Sequence, residues 1–121
     1  MIPFVDLKAQ HRELKQELLE AAARVLDSCQ FALGSEVSAF EEEFAAYARV
    51  KHCAGVNTGT SALHLALLAA DIGPGDEVIT VPHTFIATVS SILYAGAKPV
   101  FVDIDPTSYT MDPRKIEAVI T

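Results

Sequence analysis

Apolar residues recur at three- and four-residue spacing through the first fifth of the chain, at Leu14, Leu18, Ala21, Ala22, Val25 and Leu26, with Lys, Glu and Arg between them. That period predicts an amphipathic helix from Leu7 to about Ser28. A second helix is expected after Gln30-Phe31-Ala32-Leu33-Gly34, with Ser35 as its N-cap and Val37, Phe40, Phe44 and Tyr47 along one face. Glu41, Glu42 and Glu43 occupy the other faces and read as a solvated acidic surface near a helix start.

Beyond Lys51 the period changes. Short continuous apolar runs at 53–56, 78–81 and 99–102 alternate with helix-like stretches at about 60–71 and 84–95. Such runs predict parallel strands covered by helices on both faces. The punctuation agrees: Gly73-Pro74-Gly75-Asp76 makes a turn, Gly96 stands where a helix C-cap glycine belongs, and Asp112-Pro113 opens a last helix. The predicted order is α-α-β-α-β-α-β-α, with a helical region over 1–50 and a βαβαβ core over 51–121. A three-stranded parallel sheet has two open edges and the last helix has barely begun at Thr121, so the chain reads as the beginning of something longer.

Charge and composition narrow the function. The 121 residues are 50% hydrophobic, enough for a core, and carry a net charge of −7 with the nine basic residues scattered. A nucleic-acid partner is disfavoured, since no basic stripe exists. No apolar run approaches the length of a membrane span and the start lacks a basic region before an apolar one, so a cytoplasmic protein is expected. Cys29 and Cys53 lie far apart without a Cys/His cluster, which signals neither a disulfide framework nor a metal site.

The candidate chemistry sits where the first predicted strand breaks, at Asn57-Thr58-Gly59-Thr60-Ser61. A strand that turns through a glycine into a helix presents free N–H groups at a positive dipole end, a place for anions. Glycine admits a phosphate to the backbone, and the hydroxyls of Thr58, Thr60 and Ser61 can donate to it. The same residue types also suit any helix N-cap without a ligand. The stretch has neither the Gly-Lys-Ser/Thr of a P-loop nor a Gly-x-Gly-x-x-Gly dinucleotide turn, which disfavours ATP and NAD. Phe85 opens the next helix, where an aromatic by itself is a core residue as readily as a ligand platform. Both positions follow strands, and in a parallel sheet the carboxyl ends of the strands open on one crevice. There Gly59, Thr60 and Ser61 would hold a phosphate while Phe85 stacks on a ring. Asp103 and Asp105 read as turn caps beside Pro106. His64 reads as a packed helix residue, and His83 as a candidate substrate contact.

The succession "VDLKAQ", "FALGSEVSAFEEEFAAYARVKHCAGVNTGTSALHLAL" and "GPGDEVITVPHTFIATVSSILYAGAKPVFVDIDP" resembles the N-terminal third of the DegT/DnrJ/EryC1/StrS family of pyridoxal-phosphate-dependent nucleotide-sugar aminotransferases. The resemblance implies a type I aminotransferase fold and a homodimer with its site at the subunit interface. It also implies pyridoxal 5'-phosphate as cofactor, glutamate as amino donor and a nucleotide-linked keto sugar as acceptor. It gives Gly59, Thr60 and Ser61 the cofactor phosphate, and Phe85 the pyridine ring. The family's cofactor-bearing lysine and its acidic partner for the pyridine nitrogen come from positions later than Thr121, so no catalytic residue is named here. Lys8, Lys15, Lys51, Lys98 and Lys115 lack the surroundings that lower an amine's pKa. Two alternatives stay open: a sugar dehydratase of the same family, and a non-catalytic phosphate-binding or assembly module.

Overall fold

The computed structural model describes residues 4–121, which fall into two compact units, one ending at Gly55 and one beginning at Val56.

The first unit is two helices. Helix α1 spans Leu7–Ser28, and the Asp6 carboxylate caps it by accepting from the Ala9 N–H at 3.0 Å. Helix α2 spans Ser35–Ala48. Its cap is Gly34 instead of the expected Ser35, because the Gly34 carbonyl accepts from Val37 and Ser38 while the Ser35 N–H donates to Gln30 Oε1 at 3.1 Å. The Arg24 guanidinium grips the Glu36 carboxylate through two bonds of 2.7 and 3.1 Å, tying the helices together. Along α2 the Phe40, Phe44 and Tyr47 rings follow one another at centroid distances of 5.6 and 6.1 Å.

The 53–56 run is not a strand. Its Gly55 N–H donates to Glu41 Oε1 at 2.6 Å, so a side chain has taken a donor that a sheet ladder would use. Glu41 is accordingly half-buried, whereas Glu42 and Glu43 are exposed as expected. Ala54 and Val56 are exposed, so among the described residues the run is neither buried nor paired, and only a neighbouring strand would make it a strand.

The second unit carries the sheet. Helix α3 (Gly59–Ala69), strand β1 (Glu77–Thr80), helix α4 (Ile86–Tyr94) and strand β2 (Lys98–Phe101) follow in order. The two strands pair in parallel, Glu77 opposite Lys98 through Thr80 opposite Phe101, with α4 as the crossover. Among the described residues the sheet therefore has two strands where the apolar pattern predicted three. Ile92, Ala95, Ala97 and Val102 are buried at its centre with Thr80 and Ser91. Helix α4 ends in a Schellman motif: Gly96, at φ 82°, donates to the Leu93 carbonyl and Ala97 to that of Ile92. The expected last helix is instead two short 3₁₀ turns, Pro113–Lys115 and Glu117–Val119. Asp112 does cap the first of them, accepting from the Arg114 N–H.

Candidate functional site

Helix α3 begins where the backbone turns at Thr58 from extended conformation (φ −152°, ψ 156°) into the helix. The Thr58 hydroxyl oxygen accepts from the Ser61 N–H at 3.0 Å and donates to the Ser61 hydroxyl, which in turn donates to Asn57 Oδ1 at 2.8 Å. The Thr58 and Ser61 hydroxyls are engaged with each other and with Asn57 in this turn. What remains free is the backbone of Gly59 and Thr60. Neither N–H has an acceptor among the described residues, and the Thr60 hydroxyl has no partner there either. A β-carbon built on Gly59 would meet nothing within 4 Å, so that face of the turn is open.

Phe85 stands at the start of α4 in extended conformation (φ −78°, ψ 146°), outside the helix that was expected to include it. Its side chain is 75% exposed among the described residues. Ser91, 1% exposed, donates from Oγ to the Ala87 carbonyl at 2.6 Å and lies 3.3 Å from the Thr60 carbonyl. That contact anchors α4 against the first turn of α3, and with it the spacing of Phe85 from Gly59.

The two helix starts border one hollow of about 660 Å³, lined by Thr58, Gly59, Thr60, Ala62, Leu63, Phe85, Ala87 and Thr88. Gly59, Thr60 and Phe85 are brought together there, and Ser61 is not in the lining, its hydroxyl being bonded to Thr58 and Asn57. Leu63 and Thr88 were not anticipated as wall residues. Thr88 was findable, since it lies three residues after Phe85 and so on the same side of α4. Its hydroxyl is 3.0 Å from that of Thr84.

Other candidates separate from the hollow. His64 is half-buried on α3 with its ring edge against Tyr94, centroids 5.9 Å apart, as a packed residue. His83 is exposed beside Tyr109. Asp105 caps the turn that follows it, Oδ1 accepting from the Thr107 and Ser108 N–H groups at 2.8 and 3.1 Å. Asp112, 3% exposed, bonds to Arg114 Nε at 2.9 Å, and this bond holds its carboxyl below the usual carboxylate range. No helix among the described residues is long and apolar enough to cross a membrane.

Comparison with known proteins bears on this arrangement. The profile of the DegT/DnrJ/EryC1/StrS aminotransferase family matches residues 12–121. Three curated relatives are each 49% identical over 120 residues: a pleiotropic regulatory protein of Geobacillus stearothermophilus, a UDP-N-acetyl-3-dehydro-alpha-D-glucosamine 3-aminotransferase of Acidithiobacillus ferrooxidans, and a dTDP-3-amino-3,4,6-trideoxy-alpha-D-glucose transaminase of Streptomyces venezuelae. Each alignment takes in 99% of this chain and 32% of the relative, so the chain spans about a third of their length. S. venezuelae DesV, solved in complex with a ketimine intermediate, superposes with a TM-score of 0.94 at 49% identity, over 99% of this chain and 32% of that one. NtdA of Bacillus subtilis, solved with bound cofactor PMP, superposes with a TM-score of 0.93 at 32% identity, over 99% of this chain and 28% of that one. The fold is therefore the α/β fold of the N-terminal part of these aminotransferases, and the chain belongs to the DegT/DnrJ/EryC1/StrS aminotransferase family.

Proposed function

We propose that residues 1–121 form the N-terminal segment of the cofactor-binding domain of a pyridoxal-phosphate-dependent aminotransferase, and that the hollow between Gly59 and Phe85 receives the cofactor. The observation that carries this reading is the pairing, on one lining, of two unpartnered backbone N–H groups with an exposed aromatic ring. The N–H groups of Gly59 and Thr60 and the Thr60 hydroxyl would donate to the phosphate, whose charge the α3 dipole favours. Ser61 acts through the turn it braces. The Phe85 ring would cover the pyridine face and keep water from it. Bound pyridoxal phosphate supplies the carbonyl that accepts an amino group and the ring that draws off electrons.

A lysine must complete this chemistry. Within the second unit, Lys98 is paired with Glu77 at 2.6 Å and Lys115 lies 3.6 Å from Asp103, so neither is free for it. The family resemblance assigns that role to a position later than Thr121. For the whole enzyme we propose glutamate as donor, a keto sugar on a nucleoside diphosphate as acceptor, a homodimer and a cytoplasmic location. The keto-sugar reading follows the names of the relatives, two of which are sugar-nucleotide transaminases.

Titration of the chain with pyridoxal 5'-phosphate, followed by absorbance, tests the site. The wild-type chain should bind. Phe85→Ala, at an exposed position, should leave the melting temperature within a few degrees while weakening binding by about two- to tenfold. Equal binding by wild type, Phe85→Ala and Gly59→Ala would remove the site from this hollow.

A further inference from the structure

The loop after β2 is unusually constrained for an exposed segment. Ile104 and Met111 form an antiparallel bridge, the Asp105 N–H donates to the Thr110 carbonyl at 2.8 Å, and the Tyr109 N–H donates to the Asp105 carbonyl at 2.9 Å. The Asp105 carboxylate ties down Thr107 and Ser108 and meets Arg114 Nη2 at 3.3 Å. Inside this frame Tyr109 is held at φ 58°, a left-handed conformation that a residue with a large side chain adopts only at a cost. Burial does not offset that cost, since Tyr109 is 67% exposed. Cys29, Leu33, Arg49 and Asp71 are also left-handed, so what sets Tyr109 apart is the bonded frame of its loop and the ring it meets.

What the Tyr109 ring meets is His83, at a centroid distance of 6.4 Å and a tilt of 40°, within the range of a favourable aromatic pair. His83 is the middle of a three-residue turn closed by the Thr84 N–H donating to the Pro82 carbonyl at 3.0 Å. That turn joins β1 to Phe85. Both loops leave the carboxyl ends of adjacent parallel strands, so the pair links one strand end to the other.

We propose that Tyr109 is a positioning residue for Phe85: packed against His83, it keeps the turn over 82–84 closed and so sets the direction of the Phe85 ring. The effect on ligand binding rests on Phe85 being the cofactor platform; the effect on the turn does not.

The full chain is tested as wild type, Tyr109→Phe and Tyr109→Gly. Glycine accepts φ 58° without strain, so Tyr109→Gly removes the ring and spares the loop. Expected for Tyr109→Gly are a melting temperature no lower than wild type, Thr84 amide exchange about two- to tenfold faster by NMR, and pyridoxal phosphate affinity weakened by a similar factor. Inorganic phosphate, which would meet only the turn at Gly59 and Thr60, should bind unchanged, and Tyr109→Phe should match wild type throughout. Unchanged Thr84 exchange in Tyr109→Gly, or a Tyr109→Phe variant that behaves like it, would overturn the proposal. If wild type binds no pyridoxal phosphate, the cofactor reading fails, while the Thr84 amide still decides whether Tyr109 positions the turn.

Discussion

Gly59 separates fold from function at the level of one residue. Its backbone is not in the left-handed region and a β-carbon there would touch nothing within 4 Å, so the chain itself does not require glycine. Gly59→Ala should therefore raise stability by about 0.4–1 kcal/mol, since alanine restricts the unfolded chain. In the same variant, pyridoxal phosphate affinity should fall, because the methyl group stands where a phosphate would approach. Thermal melts and a titration on one preparation check both; a parallel loss of stability would mean that the glycine serves the turn. Ser91 is the opposite case. Its hydroxyl is buried between two helices, and Ser91→Ala should cost about 0.5–1.5 kcal/mol in denaturant unfolding. At this scale the sequence pointed to Gly59, Thr60 and Phe85 from residue type and position after an apolar run. It could not show that the Ser61 hydroxyl would accept from Thr58 and donate to Asn57, because those partners come into reach only once the turn has formed.

At the level of elements, punctuation proved more legible than apolar runs. Gly96 and Asp112 do what their types predict, since each answers to neighbours within a few residues. Gly96→Ala would force a β-carbon to within 3.0 Å of Pro74 Cγ at φ 82°, so a loss of about 1–2 kcal/mol is expected from the backbone alone. A melt unchanged from wild type would contradict the Schellman assignment. The 53–56 run failed for the complementary reason. Strand pairing is a relation between distant segments, and here a carboxylate fourteen residues earlier takes the Gly55 donor. The 3₁₀ turns after Asp112 keep the predicted cap, and Arg114 pairs with that same carboxylate at 2.9 Å.

Across the whole molecule, acid response follows from three carboxylates whose pKa values are lowered, each mainly by a side-chain hydrogen bond: Glu36 to Arg24, Glu77 to Lys98 and Asp112 to Arg114. A carboxyl whose folded pKa lies below its unfolded one contributes stability in full above the unfolded value, and that stability is lost as pH falls through the folded value. The chain should hold its stability down to the ordinary carboxylate range near pH 4 and lose these contributions below it. Arg114→Met raises the folded pKa of Asp112, so the acid-unfolding midpoint should move to higher pH. Circular dichroism against pH reads this directly, and an unmoved midpoint would show that the pair contributes nothing.

The parallel register of β1 and β2 also sets an order of events in synthesis. Lys98 pairs with Glu77 across 21 residues of chain, and no shorter hairpin can supply β1 with a partner among the described residues. At typical translation speeds of about 5–20 residues per second, β1 waits about 1–4 s for β2 to follow it out of the ribosome. During that interval the edge of β1 stays without its β2 partner. The β1–β2 pairing therefore cannot precede the emergence of α4, which lies between the two strands in the chain.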